Sequence, residues 1–225
     1  PSGNIYICGY YTATTNIAGV THVSNGGEDI FISKYDANGN FLWAQTAGSP
    51  GRDEAKAIKC DASGNVYVCG LHSDAAVFGS TVLTSPLGYY DIFIAKYNSA
   101  GVIQWVKSQG SDYDDVAWSM TIDNAGKIYV AGEFNAYATF DSFAMVTSGN
   151  ADAFVACYNS AGTTLWVKSA GGPLIDMVRG IVCDGTNLYV TGRFGSIALF
   201  GHHSVTAAVM DYLCISAMSF FVSFC

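Results

Sequence analysis

Three aspartates recur at a nearly constant interval in this chain. Asp53, Asp115 and Asp176 open the related runs DEAKAIKCD, DVAWSMTID and DMVRGIVCD. A short carboxylate in such a place either accepts hydrogen bonds from the amides of its own loop or meets a ligand. Three residues further on the runs diverge, to Lys56, Trp118 and Arg179. An indole with cations beside a row of carboxylates suits a sugar or a peptide. These six residues are the candidate binding site, and a solvated rim is the competing reading.

Catalysis has less to build on. The chain contains no G-x-S-x-G elbow, no H-E-x-x-H helix and no Cys–His pair at a recognised spacing. Two carboxylates across a cleft would suffice for glycoside hydrolysis. No pair stands out, so no catalytic residue is assigned and a glycan-active hydrolase remains an alternative. His202 and His203 are adjacent and point to opposite sides of any strand, while His22 and His72 fall in connecting segments. No metal ligand set or cofactor is expected. Asp36, Asn38 and Asn40 imitate the start of a calcium loop, but the glycine and distal glutamate are absent, which favours a plain turn.

Seven cysteines leave at least one unpaired. Cys8 and Cys69 hold the same place in GNIYICG and GNVYVCG, where later copies have Ala131 and Thr191. Cys60 and Cys183 match each other, with Ile122 between them. Exchange with Ala, Thr and Ile is the behaviour of a small core residue rather than of a disulfide or a ligand.

The elements that must position these residues form a repeat. Tyr6, Tyr67, Tyr129 and Tyr189 follow one another at a nearly constant interval. DIFISKYD from Asp29 returns as DIFIAKYN from Asp91 and DAFVACYN from Asp152, each followed by a tryptophan at Trp43, Trp105 or Trp166. Each unit therefore holds four strand-like runs: a (EAKAIKC), b (NVYVCG), c (DIFIAKYN) and d (VIQWVKSQ). Short turns with glycine join a to b and c to d, which predicts antiparallel hairpins. The long connections, Leu71 to Tyr90 and Gly110 to Asp115, share the other end, and variable loops on a fixed scaffold are where binding concentrates.

Composition agrees with many short strands: 14 Tyr, 13 Phe and 25 Gly against 4 Pro. A net charge of −8 repels a phosphate backbone, so nucleic acid is excluded as a partner. The final stretch, VTAAVMDYLCISAMSFFVSFC, carries only Asp211 as a charge. That aspartate would sit in mid-span and part of the segment imitates strand c, so no membrane span is expected. The chain begins at Pro1, and no leader sequence can be read from it.

Four antiparallel strands per unit at this spacing predict an all-β protein, a β-propeller of four-stranded antiparallel blades with a period of about 61 residues. The units run 1–52, 53–114, 115–175 and 176–225, just under four blades. The first lacks strand a, and in the last MDYLCIS imitates strand c before an aberrant tail, AMSFFVSFC. A fragment of a larger propeller and a closed four-bladed ring both remain open. The combination D-x-F-[IV]-A-K-Y-N-x-x-G-x-x-x-W, followed by D-x-A-x-x-I-x-x-D-x-x-G-N-x-Y-V-x-G, resembles the bacterial β-propeller repeat family labelled SBBP, from residue 1 to about 200. The resemblance implies an exported or cell-surface bacterial protein, often one module of a long chain, with no common active site to transfer. The expectation is a non-catalytic binding or scaffold module for protein or carbohydrate. A purely structural module that pairs with its own copies or neighbouring domains is the alternative.

Overall fold

The computed structural model describes residues 3–86, 89–195, 197–200, 203–206 and 218–219. The chain divides into two compact units, Pro1–Ser108 and Gln109–Cys225. Among the described residues every strand pairing is antiparallel and no helix occurs.

The first unit contains β1 (Ile5–Tyr11), β2 (Thr14–Ile17), β3 (Val20–Val23), β4 (Asp29–Tyr35), β5 (Phe41–Ala47) and β6 (Glu54–Cys60). β7 (Val66–Ser73), β8 (Ala75–Phe78), β9 (Thr81–Thr84), β10 (Tyr90–Tyr97) and β11 (Ile103–Gln109) follow. One sheet has the order β1-β4-β5, the other β11-β10-β7-β6. The four runs a to d are thus β6, β7, β10 and β11, and the first sheet shows three strands. All of β7 is buried, as expected for a strand covered on both faces and written as a continuous run of Val, Tyr, Cys and Leu. Ile30, Ile32, Val66, Val68, Phe78 and Phe93 form the centre of this unit's core.

In the second unit, β12 (Val116–Ile122), β13 (Ile128–Phe140), β14 (Phe143–Tyr158) and β15 (Thr164–Ala170) form one sheet in chain order. β16 (Met177–Cys183) and β17 (Leu188–Arg193) begin the next, where β20 (Met218–Ser219) pairs with β17; β18 (Ile197–Phe200) and β19 (His203–Thr206) pair with each other. The expected strand around Asp211, like most of the C-terminal tail, lies outside the described residues.

The hairpin turns owe their shape to one side chain each. Asp36, Asp61, Asn98, Asp123 and Asn159 accept, on Oδ1, hydrogen bonds from the amides two and four residues on, at 2.8–3.0 Å. The calcium-like run at Asp36 is such a turn. In three copies a turn aspartate has a second task, because Tyr67, Tyr129 and Tyr189 donate their hydroxyls to Asp61, Asp123 and Asp184, at 3.3, 2.9 and 2.9 Å. The recurring tyrosine is therefore anchored polar end first, with Trp105 beside Tyr67 and Trp166 beside Tyr129 at ring-centre distances of 6.2 and 6.0 Å. Trp43 reaches the neighbouring sheet, donating its indole N–H to the Ser99 carbonyl at 3.1 Å.

The b–c connections are not the open loops that the sequence suggests, but small hairpins: β2–β3, β8–β9, the outer halves of β13 and β14, and β18–β19. Each of the last three latches onto the glycine that follows a strand d, through Gly48–Val77, Gly110–Thr139 and Gly171–Leu199. Val77, Thr139 and Leu199 donate to the glycine carbonyls at 2.9, 2.8 and 2.9 Å. A side chain at Gly48 or Gly171 would collide with the carboxylate of Asp29 or Asp152. That accounts for glycine at both latches.

Candidate functional site

Asp53, Asp115 and Asp176 are 0%, 0% and 2% exposed. Asp53 accepts from the Ser49 amide and hydroxyl at 2.7 and 2.6 Å and from the Ser73 amide at 3.0 Å. Asp115 accepts from the Ser111 amide and hydroxyl at 2.6 and 2.7 Å and from the Asn135 amide at 2.7 Å. Asp176 accepts from the Gly172 and Gly195 amides at 2.8 and 3.0 Å. Each carboxylate ties the d–a turn to the end of strand b. Burial pushes Asp53 up to about 6 and raises Asp176 above the usual carboxylate range, against the pull of these donors. Of the two roles open to these aspartates, the geometry favours bonding loop amides over meeting a ligand.

Lys56, Trp118 and Arg179 share a structural position that the sequence alone does not reveal. The a–b registers skip one residue between Ala55 and Ala57, between Ala117 and Ser119, and between Val178 and Gly180. The skipped residues are Lys56, Trp118 and Arg179, the extra members of three equivalent β-bulges. A bulge bends its strand and re-aims one side chain. Here it also drives the carbonyls of Glu54, Val116 and Met177 against Gly70, Gly132 and Gly192, where no Cβ would fit.

Within the second unit two of the three come together. The Arg179 guanidinium stacks 3.6 Å from the centre of the Trp118 ring. The Trp118 indole N–H donates to Glu133 Oε1 at 3.0 Å. Burial raises the Glu133 carboxyl above its ordinary range, and Trp118, Arg179 and Arg193 counter that rise. Lys56 belongs to the first unit, where Arg52 and Lys56 both pair with Glu54, whose side chain is almost wholly buried. Arg52 also lies 5.5 Å from the Tyr90 ring centre.

Glu133 connects the cluster to a pocket of about 610 Å³ lined by Tyr113, Asp114, Asn135, Ala136 and Ile175 among others. This is the end of the sheet where the d–a turn and the b–c excursion meet. Ala136 holds a left-handed backbone, φ 48°, in the same place as Ala13 at 53° and Asp74 at 47°. A non-glycine residue there stores about 1–2 kcal/mol. Two carboxylates, Asp114 and Glu133, line the pocket, with no Lys or Arg among its described lining.

A second groove, about 510 Å³, opens at the hairpin-turn end of the first unit beside Tyr6, Lys34, Cys60 and Asp61. Lys34 is already engaged there, by the Ser99 carbonyl at 3.0 Å and the Tyr6 ring at 5.5 Å. His72 is buried, with Nε2 2.7 Å from Ser108 Oγ. Burial lowers it to about 4, so it is neutral at physiological pH. Among the described residues no group of three or more His, Cys, Asp or Glu is placed to hold a metal ion. Nor is any described helix long and apolar enough to cross a membrane.

No family model matches the chain. It is 34% identical over 173 residues, 68% of its length, to the uncharacterized WD repeat-containing protein L264 of Acanthamoeba polyphaga mimivirus. It is 24% identical over 219 residues, 92% of its length, to the regulatory protein FlaEY of Caulobacter vibrioides. The chain spans 12% and 23% of the lengths of these two relatives. Antiparallel sheets throughout the described residues and a WD repeat relative together fit a repeat of the β-propeller type.

Proposed function

We propose that this chain is a non-catalytic recognition module built of SBBP-type propeller blades, each repeat spanning about 61 residues, and that its partner is a protein. The binding surface is the pocket of the second unit where the d–a turn meets the b–c excursion. The carrying observation is Glu133, a half-buried carboxylate held by Trp118 and facing a pocket that has acids but no bases among its described lining residues. A half-buried acid still gains from a cationic partner beyond Arg179 and Arg193, because the reduced local dielectric strengthens the attraction. The ligand group that fits is a lysine or arginine side chain of a peptide segment, with Tyr113 at the rim as an aromatic platform. The SBBP resemblance adds an exported or cell-surface setting to this reading, which fractionation of the native source tests.

The binding test is a peptide array probed with the wild-type protein, Glu133→Gln and Trp118→Ala, beside a glycan array. Retention of peptides carrying Lys or Arg, weakened at least about tenfold in both variants, is the expected result. Glycan binding without peptide binding, or equal binding by all three proteins, overturns the assignment.

A further inference from the structure

Lys56 and Arg179 are the same member of two repeats, the extra residue of the bulge in strand a, but they differ in what neutralises them. Two positions before Lys56 stands Glu54, whose carboxylate pairs with both Lys56 and Arg52. Two positions before Arg179 stands Met177. Its sulfur accepts from Arg179 Nε at 2.9 Å, and a thioether is a weak acceptor without charge. Among the described residues no carboxylate forms an ion pair with Arg179, and the fork of its two terminal nitrogens has no acceptor. Glu54 and Met177 each share a strand with the cation they face, so the contrast does not depend on what lies beyond either end of the chain. The guanidinium is nevertheless held. One face lies 3.6 Å from the centre of the Trp118 ring, and the residue is exposed. Stacking of this kind leaves the in-plane N–H groups to an outside acceptor.

We propose that the Arg179 fork is a carboxylate site, and that the peptide held by the Glu133 pocket carries an aspartate or glutamate near its lysine or arginine. The second half of this rests on the pocket reading; the first half does not. A planar carboxylate fits two parallel N–H bonds, and a guanidinium already fixed on an indole loses little freedom in making them. Trp118 joins the two halves of the site, with its N–H on Glu133 and its ring face on Arg179. The ligand then meets an acid and a base side by side, which discriminates against groups of one sign only. A phosphate dianion fits less well, because Glu133 beyond the same indole repels its second charge. In an extended peptide, residues two apart share a face, so the spacing Lys-x-Glu serves both halves.

The test titrates the whole chain with three short peptides, blocked at both ends and identical except for a central Lys-Gly-Glu, Lys-Gly-Gln or Gln-Gly-Glu. The wild type should bind Lys-Gly-Glu about five- to tenfold more tightly than Lys-Gly-Gln. Arg179→Gln, at an exposed position, should remove that advantage. Met177→Glu, which rebuilds the arrangement around Lys56, should remove it too with Arg179 still in place. Equal wild-type affinity for the two lysine peptides, or an advantage that survives Arg179→Gln, overturns the carboxylate site and leaves the pocket standing. So does tighter binding when phosphoserine replaces the glutamate, since the ligand class would then be wrong. Binding of Gln-Gly-Glu alone, lost in Arg179→Gln, supports the carboxylate site and sinks the pocket. No binding of any of the three overturns both.

Discussion

Replacing Asp53 by asparagine separates what its carboxylate contributes as an acceptor from what its charge costs. Both oxygens are in use, one by the Ser73 amide and the other by the Ser49 amide and hydroxyl. Asparagine turns one oxygen into a donor, so one buried amide faces another N–H, at about 1–3 kcal/mol. The charge acts in the opposite sense. Burial lifts the Asp53 carboxyl from 3.8 to about 6, so the folded protein holds its proton more tightly than the unfolded chain does. The corresponding stability is complete below pH 3.8 and is lost as pH rises through about 6, about 3 kcal/mol in all. Between about pH 4.5 and about pH 7.5 the part lost is about 2 kcal/mol. Urea unfolding followed by tryptophan fluorescence should therefore show Asp53→Asn clearly less stable than wild type at the acid end. The gap should close by about 2 kcal/mol at the neutral end, because only the wild type titrates there. Two outcomes refute the reasoning. A gap independent of pH means the carboxyl is not raised, and no gap at acid pH means the three bonds hold nothing.

Three further expectations rest on the same geometry. Ala136→Gly relieves a left-handed backbone and should raise stability by about 1 kcal/mol in thermal or urea unfolding; no change would mean the strain is absent. Gly132→Ala places a methyl on the Val116 carbonyl and should destabilise by about 2 kcal/mol or more, with the a–b ladder of β12 and β13 losing hydrogen-exchange protection first. Under native conditions an aromatic disulfide reagent should modify Cys60 quickly, because the structure leaves it exposed at the end of β6 and not in the core that its exchange with Ile122 suggests. Cys69 and Cys157 should react only on unfolding, since burial raises both thiols. Rapid release of either would show that the core is open.

Much of the sheet framework was legible because each sheet writes its own chemistry. The Tyr-Val-Cys-Gly and Asp-Ile-Phe-Ile phrases are strands buried on both faces, and the turn aspartates are local acceptors that need no tertiary context. Divergence at Lys56, Trp118 and Arg179 was visible too, although its cause was not. A bulge is one residue of register, and register belongs to a pair of strands rather than to either alone. The excursion hairpins were missed, although β8 and β9 alternate around Phe78-Gly79-Ser80-Thr81 and a tight turn at Gly79, φ 61°, was there to be read. Glu133 escaped notice for another reason. It occupies the place of Leu71 and Arg193, a position as variable as the bulge, but only folding sets it against Trp118.

The hairpin latches also bear on the order in which the chain assembles. Val77 bonds to Gly48, Thr139 to Gly110 and Leu199 to Gly171, so each latch closes a loop of only half a repeat. Such closures are short on the scale of the chain, and short closures form early because little loop entropy opposes them. As the chain leaves the ribosome, the end of each sheet stays unsealed until the next hairpin has emerged. Each clasp can then shut before the following repeat is made. Assembly would run from the N-terminus forward, each repeat finishing the one before it. Arrested nascent chains long enough to hold Val77 just inside and then just outside the exit tunnel would reveal this as a step in the protease resistance of the β4–β5 hairpin.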